Sequence, residues 1–270
     1  MQLSVYSTYF IDLSPEEALE TFRRHGITTV ELGNEHGAAL LGRSEDVRAT
    51  GRAFGEFARS IGMQIPQGHL WLKCRLVSNP DAVEIVKRWI DLYDAIGIKN
   101  MVLHMDVYDM PDATIEAMHD ANVEKLRIIA DYIAGRDFHI CLENLFRRGA
   151  DHIEQILSVI DRVGSDRFAL TLDTGHLNMA GTDTQRDFIR KAGDKLRAIH
   201  IADNEGAADQ HMLPFGRGTV DFAEVVRALR EVNYAGPFNF EIPGEVRCPL
   251  PLREAKLEYL KQIYAYLMEV

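Results

Sequence analysis

The side chains best suited to chemistry in this sequence are carboxylates and imidazoles that close short apolar runs. Glu143 ends the run Phe138–Glu143, Asp173 ends Arg167–Asp173, His200 lies within Leu196–Asp203, and Glu241 lies within Phe238–Ile242. Carboxylates converging on one point raise each other's pKa and would take up protons, a conflict that a divalent cation removes. Three carboxylates and one imidazole form a mostly hard donor set that suits Mn²⁺ first, Mg²⁺ or Co²⁺ as well, and Zn²⁺ where more histidines join. Glu31, His69 and His104 close three other runs, and His176 and the Asp209-Gln210-His211 segment follow soon after two of them. His69, His104, His176, Asp209 and His211 are therefore candidates for further metal ligands or for substrate contacts. A lone Glu or Asp at such a place is more often a helix cap or a surface charge, so the recurrence across four successive runs carries the argument.

The elements that must position these groups alternate from end to end. Strands are expected near Leu3–Tyr6, Thr28–Leu32, Gln64–His69, Asn100–Met105, Phe138–Glu143, Arg167–Asp173, Leu196–Asp203 and Phe238–Ile242. Amphipathic stretches between them predict helices, the first opened by Ser14-Pro15-Glu16-Glu17, where Ser caps, Pro suits the first turn and the glutamates face the positive end of the dipole. Eight such alternations favour a closed parallel (β/α)₈ TIM barrel over an open doubly wound sheet, and no GxGxxG follows the first strand. Alternation along each strand sharpens this, because successive side chains face opposite ways. Phe168, Leu170 and Leu172 oppose Ala169, Thr171 and Asp173; Ile199 and Ile201 oppose Ala198 and His200; Phe238 and Phe240 oppose Asn239 and Glu241; Ile140 and Leu142 oppose Cys141 and Glu143. The bulky sets would face the helices, and the small or polar sets the barrel axis. His25, His36, His119 and His152 fall on helices or their flanks and are assigned to solvent, and Cys141 is assigned to core packing.

At 270 residues the chain matches one barrel domain spanning 1–270, for which ~250 residues is typical. A net charge of −11 argues against a nucleic-acid partner, whose binding draws on Lys and Arg. Three widely spaced cysteines read as reduced thiols, the N-terminus lacks the pattern of a secretion signal, and no apolar run of membrane-spanning length occurs; a cytoplasmic protein is expected.

The segments Leu142-Glu143-Asn144, Leu172-Asp173-Thr174-Gly175-His176, Ile199-His200-Ile201-Ala202-Asp203 and Phe240-Glu241-Ile242 resemble the xylose isomerase-like TIM-barrel superfamily, as does the glycine-rich stretch His211–Phe222. The resemblance covers nearly the whole chain. It implies an enzyme of the sugar isomerase and epimerase group, in which the matching quartet Glu143, Asp173, His200 and Glu241 holds one ion and the two glutamates act as acid and base. The related endonuclease IV-type branch uses nine ligands for three zinc ions, and every one has a match here: His69, His104, Glu143, Asp173, His176, His200, Asp209, His211 and Glu241. Homo-oligomers are common in the superfamily.

The expected chemistry is proton abstraction beside a carbonyl on a sugar, keto-sugar or related polyol. Glu143 and Glu241 would serve as general base and acid, His176 and Arg217 would hold hydroxyls or an enolate oxygen, and Trp71 and Phe146 would wall the sugar. Three rivals share the site: a dehydratase working through the same enolate, a phosphodiesterase acting on abasic DNA, and a non-catalytic sugar-binding barrel.

Overall fold

The computed structural model describes residues 1–108, 110 and 112–270. Its strands are β1 (Gln2–Tyr6), β2 (Thr29–Leu32), β3 (Gln64–His69), β4 (Asn100–Leu103), β5 (His139–Glu143), β6 (Phe168–Asp173), β7 (Leu196–His200) and β8 (Pro237–Phe240). The helices are α1 (Pro15–Arg24), α2 (Asn34–Leu41), α3 (Val47–Ser60), α4 (Ala82–Ile96), α5 (Ile115–Tyr132), α6 (Ile153–Val163), α7 (Thr174–Ala180), α8 (Gln185–Ala192), α9 (Phe222–Glu231) and α10 (Leu250–Glu269). From β1 to β7 each strand pairs in parallel with the next in sequence, and β8 pairs in parallel with β1. The ring closes between β7 and β8, where Ile201 N donates to Asn239 O (2.7 Å) and Glu241 N donates to Ile201 O (3.1 Å). This is the expected TIM barrel.

The expected alternation of faces is present. Ile140, Leu142, Phe168, Leu170, Leu172, Ile199, Ile201, Phe238 and Phe240 belong to the large core between strands and helices. Val102, Cys141, Ala169 and Ala198 form a small separate apolar plug on the axis, which needs short side chains because strands converge there. Local signals place the helices as read: Ser14 and Glu17 form a reciprocal capping box with Pro15 opening α1. Arg253 of α10 is buried and holds the Asp12 carboxylate through two bonds of 2.6 and 2.7 Å, clamping the last helix to the turn after β1.

Several details differ from the sequence reading. Regular pairing stops earlier than expected in β4, β7 and β8, so His104 and Glu241 each sit just beyond a strand rather than within it. After β7 the chain turns outward, and Asp203 instead pairs antiparallel with Met212. Two short helices, α2 and α7, arise where loops were expected. His36 and His119 are buried, not solvent-facing. The ring nitrogens of His36 meet Ser7 Oγ (2.9 Å) and Leu13 O (3.2 Å), and His119 Nε2 meets Gly149 O (2.8 Å), so both act as satisfied polar links in the shell around the barrel. Among the described residues no helix is long and apolar enough to cross a membrane.

Candidate metal centre

His200 is the hub of the site. It ends β7 on the axis side, fully buried, with its two ring nitrogens in different company. Nδ1 lies 3.0 Å from Glu143 Oε1, 3.1 Å from Glu241 Oε2 and 3.9 Å from Asp173 Oδ2. Nε2 faces down the barrel and lies 3.0 Å from Glu31 Oε2. Glu31 is held in turn by Gln67 Nε2 (2.7 Å) and Asn239 Nδ2 (2.6 Å), and Asn239 Oδ1 accepts from Ser4 Oγ (2.7 Å). Four strands thus anchor one carboxylate beneath the ring. Donation of Nε2–H to Glu31 leaves Nδ1 as the nitrogen presented to the three carboxylates above it, the arrangement that orients a metal-binding imidazole.

Asp173 shows what the quartet lacks. Its Oδ1 caps α7 by accepting from His176 N at 2.7 Å, which fixes the side chain. Its Oδ2 is buried and, among the described residues, has no hydrogen-bond partner. A buried carboxylate oxygen without a donor is costly unless a cation meets it. Burial, with Glu241 and Glu143 beside it, raises the Asp173 pKa to about 6, although His176 pulls the other way. Burial also works against ionisation of Glu143 and Glu241, but His200 outweighs it, assisted by His104 at Glu143. Glu143 is held well below the usual carboxylate range and Glu241 at about 2. His200 is pushed well above its ordinary value because Glu241, Glu31 and Glu143 together overcome the effect of burial. Carboxylates and imidazole therefore hold each other charged, with one oxygen left over. The donor set Glu143, Asp173, His200 and Glu241, whose ligand atoms all lie within 4.8 Å of one another, fits a divalent cation.

Two further donor groups adjoin it, His69 with His104 and Glu143, and His176 with Asp209 and His211. Three of these histidines share one geometry. His69 Nδ1 donates to Leu70 O (2.8 Å), His176 Nδ1 to Asn144 O (3.0 Å) and His211 Nδ1 to Glu241 O (2.9 Å). Each Nε2 then points at a carboxylate: His69 to Glu143 Oε2 (3.4 Å), His176 to Asp209 Oδ2 (3.5 Å) and His211 to Asp209 Oδ1 (3.0 Å). His104 Nε2 lies 2.8 Å from Glu143 Oε2. Glu143 consequently faces the quartet with one oxygen and the His69–His104 pair with the other. Backbone carbonyls that pin Nδ1–H and leave Nε2 free are the usual support of a ligating histidine.

A cavity of about 310 Å³ opens above these groups, lined by His69, His104, Glu143, His176, Asp209, His211 and Glu241 together with Leu72, Lys73, Arg75, Tyr108 and Phe146. Phe146 forms a wall, its ring 5.3 Å from that of His176. Two expected contacts lie elsewhere. The Arg217 side chain is 72% exposed and turns to Glu205, with Nε 3.6 Å from Oε2. Beside it, a Cβ on Gly218 would lie 2.1 Å from Asp203 Cγ, so the glycine-rich turn packs its backbone on Asp203 at Gly218 while the Arg217 side chain faces solvent. Trp71 packs against the edge of the hydrophobic core and is not among the residues lining that cavity. Glu31, read from the sequence as a further strand-end carboxylate without a role, gains one from its contact with His200; Val30 and Leu32 oppose it on β2 just as the apolar sets oppose Glu143 and Glu241.

Fold and site together define a (β/α)₈ barrel with a carboxylate–imidazole cluster at the C-terminal mouth of its strands, where barrel enzymes place their chemistry. Residues 19–263 match the description of the xylose isomerase-like TIM barrel, and the chain belongs to that family. It is 31% identical over 165 residues to the uncharacterized protein y4fM of Sinorhizobium fredii, spanning 60% of this chain and 52% of that one. It is 37% identical over 83 residues to a D-psicose 3-epimerase of Enterocloster bolteae, which spans 31% of this chain and 25% of the epimerase. The chain thus spans about half or less of these two relatives. An L-ribulose-5-phosphate 3-epimerase, UlaE of Shigella flexneri, is 25% identical over 243 residues, 85% of this chain and 82% of UlaE. Among solved structures, a D-tagatose 3-epimerase-like protein superposes with a TM-score of 0.79 at 21% identity, covering 100% of this chain and 99% of that one, and shows the same fold.

In protein stripped of divalent ions, the Asp173 carboxyl carbon followed by ¹³C NMR is expected to titrate near pH 6. Because its folded pKa exceeds the unfolded one, this group's contribution to stability falls as pH rises from about 4 through about 6. Addition of Zn²⁺ is expected to abolish that transition. A midpoint near ~4 in the stripped protein would contradict the crowding described.

Proposed function

We propose that the chain is a metal-dependent sugar isomerase or epimerase that removes a proton from carbon beside a carbonyl. The observation that supports this best is the placement of Glu143 and Glu241 at 3.0 and 3.1 Å from the same nitrogen of His200, two carboxylates against one cation position. Glu143, Asp173, His200 and Glu241 would hold the ion, Mn²⁺ in preference to Mg²⁺, Co²⁺ or Zn²⁺. It would supply fixed positive charge beside the oxygen on which negative charge builds. One glutamate takes the C–H proton while the bonding electrons move toward the carbonyl oxygen. The other, carrying a proton, returns it to the opposite face, which inverts the carbon; return to the neighbouring carbon, with the α-hydroxyl proton passed to the former carbonyl oxygen, gives aldose–ketose exchange instead. The sugar-epimerase names of the relatives agree with this chemistry.

The pinned histidines favour more than one ion. His69 and His104 with Glu143, and His176 and His211 with Asp209, have the donors for a second and a third. Nine donors also keep a phosphodiesterase reading in play, and the same enolate with a leaving hydroxyl gives a dehydratase.

Incubation in D₂O with a panel of ketoses and their phosphates tests the reading. Solvent deuterium is expected at the carbon beside the carbonyl, lost on chelation, restored by Mn²⁺, and slowed about 10²–10⁴-fold in Glu143→Gln or Glu241→Gln. Net loss of water would instead identify a dehydratase. Exchange that survives chelation, or cleavage of abasic DNA without sugar exchange, would sink the proposal.

Glu31→Gln keeps an acceptor beneath His200 but removes its charge. Calorimetry is expected to show Mn²⁺ affinity reduced about 10–100-fold with the circular dichroism spectrum unchanged. Undiminished affinity would show that Glu31 serves packing alone.

A further inference from the structure

The last helix, α10, leaves apolar side chains in solvent where other helices turn charge outward. The outer face of α5, for instance, carries Glu116, Asp120 and Glu124. On α10, Leu252, Tyr259 and Tyr266 stand outward, 58%, 51% and 59% exposed, at intervals of seven residues. Ala255 and Gln262 lie between them and are exposed as well. Alternating steps of three and four residues lay these five side chains in one stripe about 21 Å long, the spacing of a coiled-coil seam. The charges of α10 sit on its other flank. Glu254 meets Arg24 (3.0 Å) and His25 (3.3 Å), and Glu258 meets His25 (3.4 Å), at the end of α1. Phe215 extends the stripe from the loop after β7. It is 52% exposed, its ring lies 5.5 Å from that of Tyr266, and its backbone takes a φ of 65°, a conformation unfavourable for a bulky residue. The helix itself is firmly docked: Tyr264 Oη donates to Met1 O (2.9 Å) and Arg230 Nη2 to Met268 O (2.6 Å), in addition to the Arg253–Asp12 clamp. The stripe is therefore rigid before anything meets it, which lowers the cost of association.

Phe215, Leu252, Tyr259 and Tyr266 are half of the large apolar side chains left exposed among the described residues. At about 200 Å² for a side chain of this size, they leave roughly 450 Å² uncovered. Two such faces would bury roughly 900 Å² before Ala255 and Gln262 are counted, close to the ~1,000 Å² that a specific interface needs. The stripe reads nearly alike from either end, with a large apolar group at each tip, Tyr259 in the middle and a small or polar residue between. A face of that kind complements itself, as a twofold contact requires. Two chains of net charge −11 repel, so contact between them is favoured where charge is absent, and this stripe carries none. We infer that α10 is a dimer interface, packed antiparallel against α10 of a second copy. Tyr259 lies at the twofold axis, and Leu252 faces Tyr266 of the second copy. Phe215 closes the edge of the contact, which thereby reaches the loop that carries Asp209 and His211. The interface is independent of the chemistry at the barrel mouth.

Sedimentation velocity is expected to show a dimer at micromolar concentration. Tyr259→Lys sets two ammonium groups against each other at the axis and is expected to give a monomer, with circular dichroism unchanged because the position is half exposed. Leu252→Lys is expected to weaken association about tenfold or more. Ile128→Lys, the same change at an exposed apolar side chain of α5, is expected to leave the dimer intact. For the arrangement, Leu252→Cys and Tyr266→Cys are made separately, each with Cys248→Ser to remove the cysteine that is not buried. Oxidised together the two proteins are expected to cross-link, and oxidised alone neither is. A wild-type monomer at about 100 μM, or a dimer that survives Tyr259→Lys, would overturn the interface. Cross-linking of each cysteine variant with itself, or none in the mixture, would overturn the antiparallel pairing.

Discussion

The structure depends on one imidazole held between opposing carboxylates. His200 has Glu31 beneath it and Glu143, Glu241 and Asp173 above, all buried or nearly so. Burying this much charge is unfavourable unless every group is paired. The strand registers follow from that requirement. Glu31 must come from β2, its supports Gln67, Asn239 and Ser4 from β3, β8 and β1, and the upper carboxylates from the ends of β5, β6 and β8. A one-residue slip in any of these strands would turn its polar group into the apolar layer beneath the helices.

Several groups serve both the fold and the site. Asp173 starts α7 with one oxygen, while the other has no hydrogen-bond partner among the described residues. Glu143 faces two neighbouring donor groups with its two oxygens. His211 and His176 are oriented by the carbonyls of Glu241 and Asn144, residues that belong to the quartet or adjoin it. A cluster tied together in this way is preorganised, so the cost of gathering charge is met during folding rather than on each encounter with a ligand.

The barrel and the quartet were legible because both rest on a period of two. Phe168, Leu170 and Leu172 against Ala169, Thr171 and Asp173 specify which way a strand faces without knowledge of its neighbours. Glu31 followed the same rule between Val30 and Leu32, but its role needs the knowledge that His200 lies above it. What depends on distant loops was not legible. His36 and His119 look like solvent-facing helix residues until Leu13 and Gly149 supply their carbonyl partners. Arg217 stands in a stretch that resembles a binding turn, yet its side chain is exposed and lies beside Glu205, a neighbour that the spacing does not reveal. Arg75 and Arg147, far apart in sequence, both reach the ring of Tyr108, which no local pattern announces.

The buried charges of Glu143, Asp173, His200 and Glu241 converge on one point, and among the described residues Asp173 Oδ2 has no hydrogen-bond partner there. Crystals soaked in Mn²⁺ and measured for anomalous scattering test most directly whether that point binds a cation. A peak is expected about 2.0–2.3 Å from Glu143, Asp173 Oδ2, His200 Nδ1 and Glu241, with His200 Nε2 still on Glu31. A map without that peak, or an ion bound while Asp173 Oδ2 remains unpartnered, would contradict a cation site at that point.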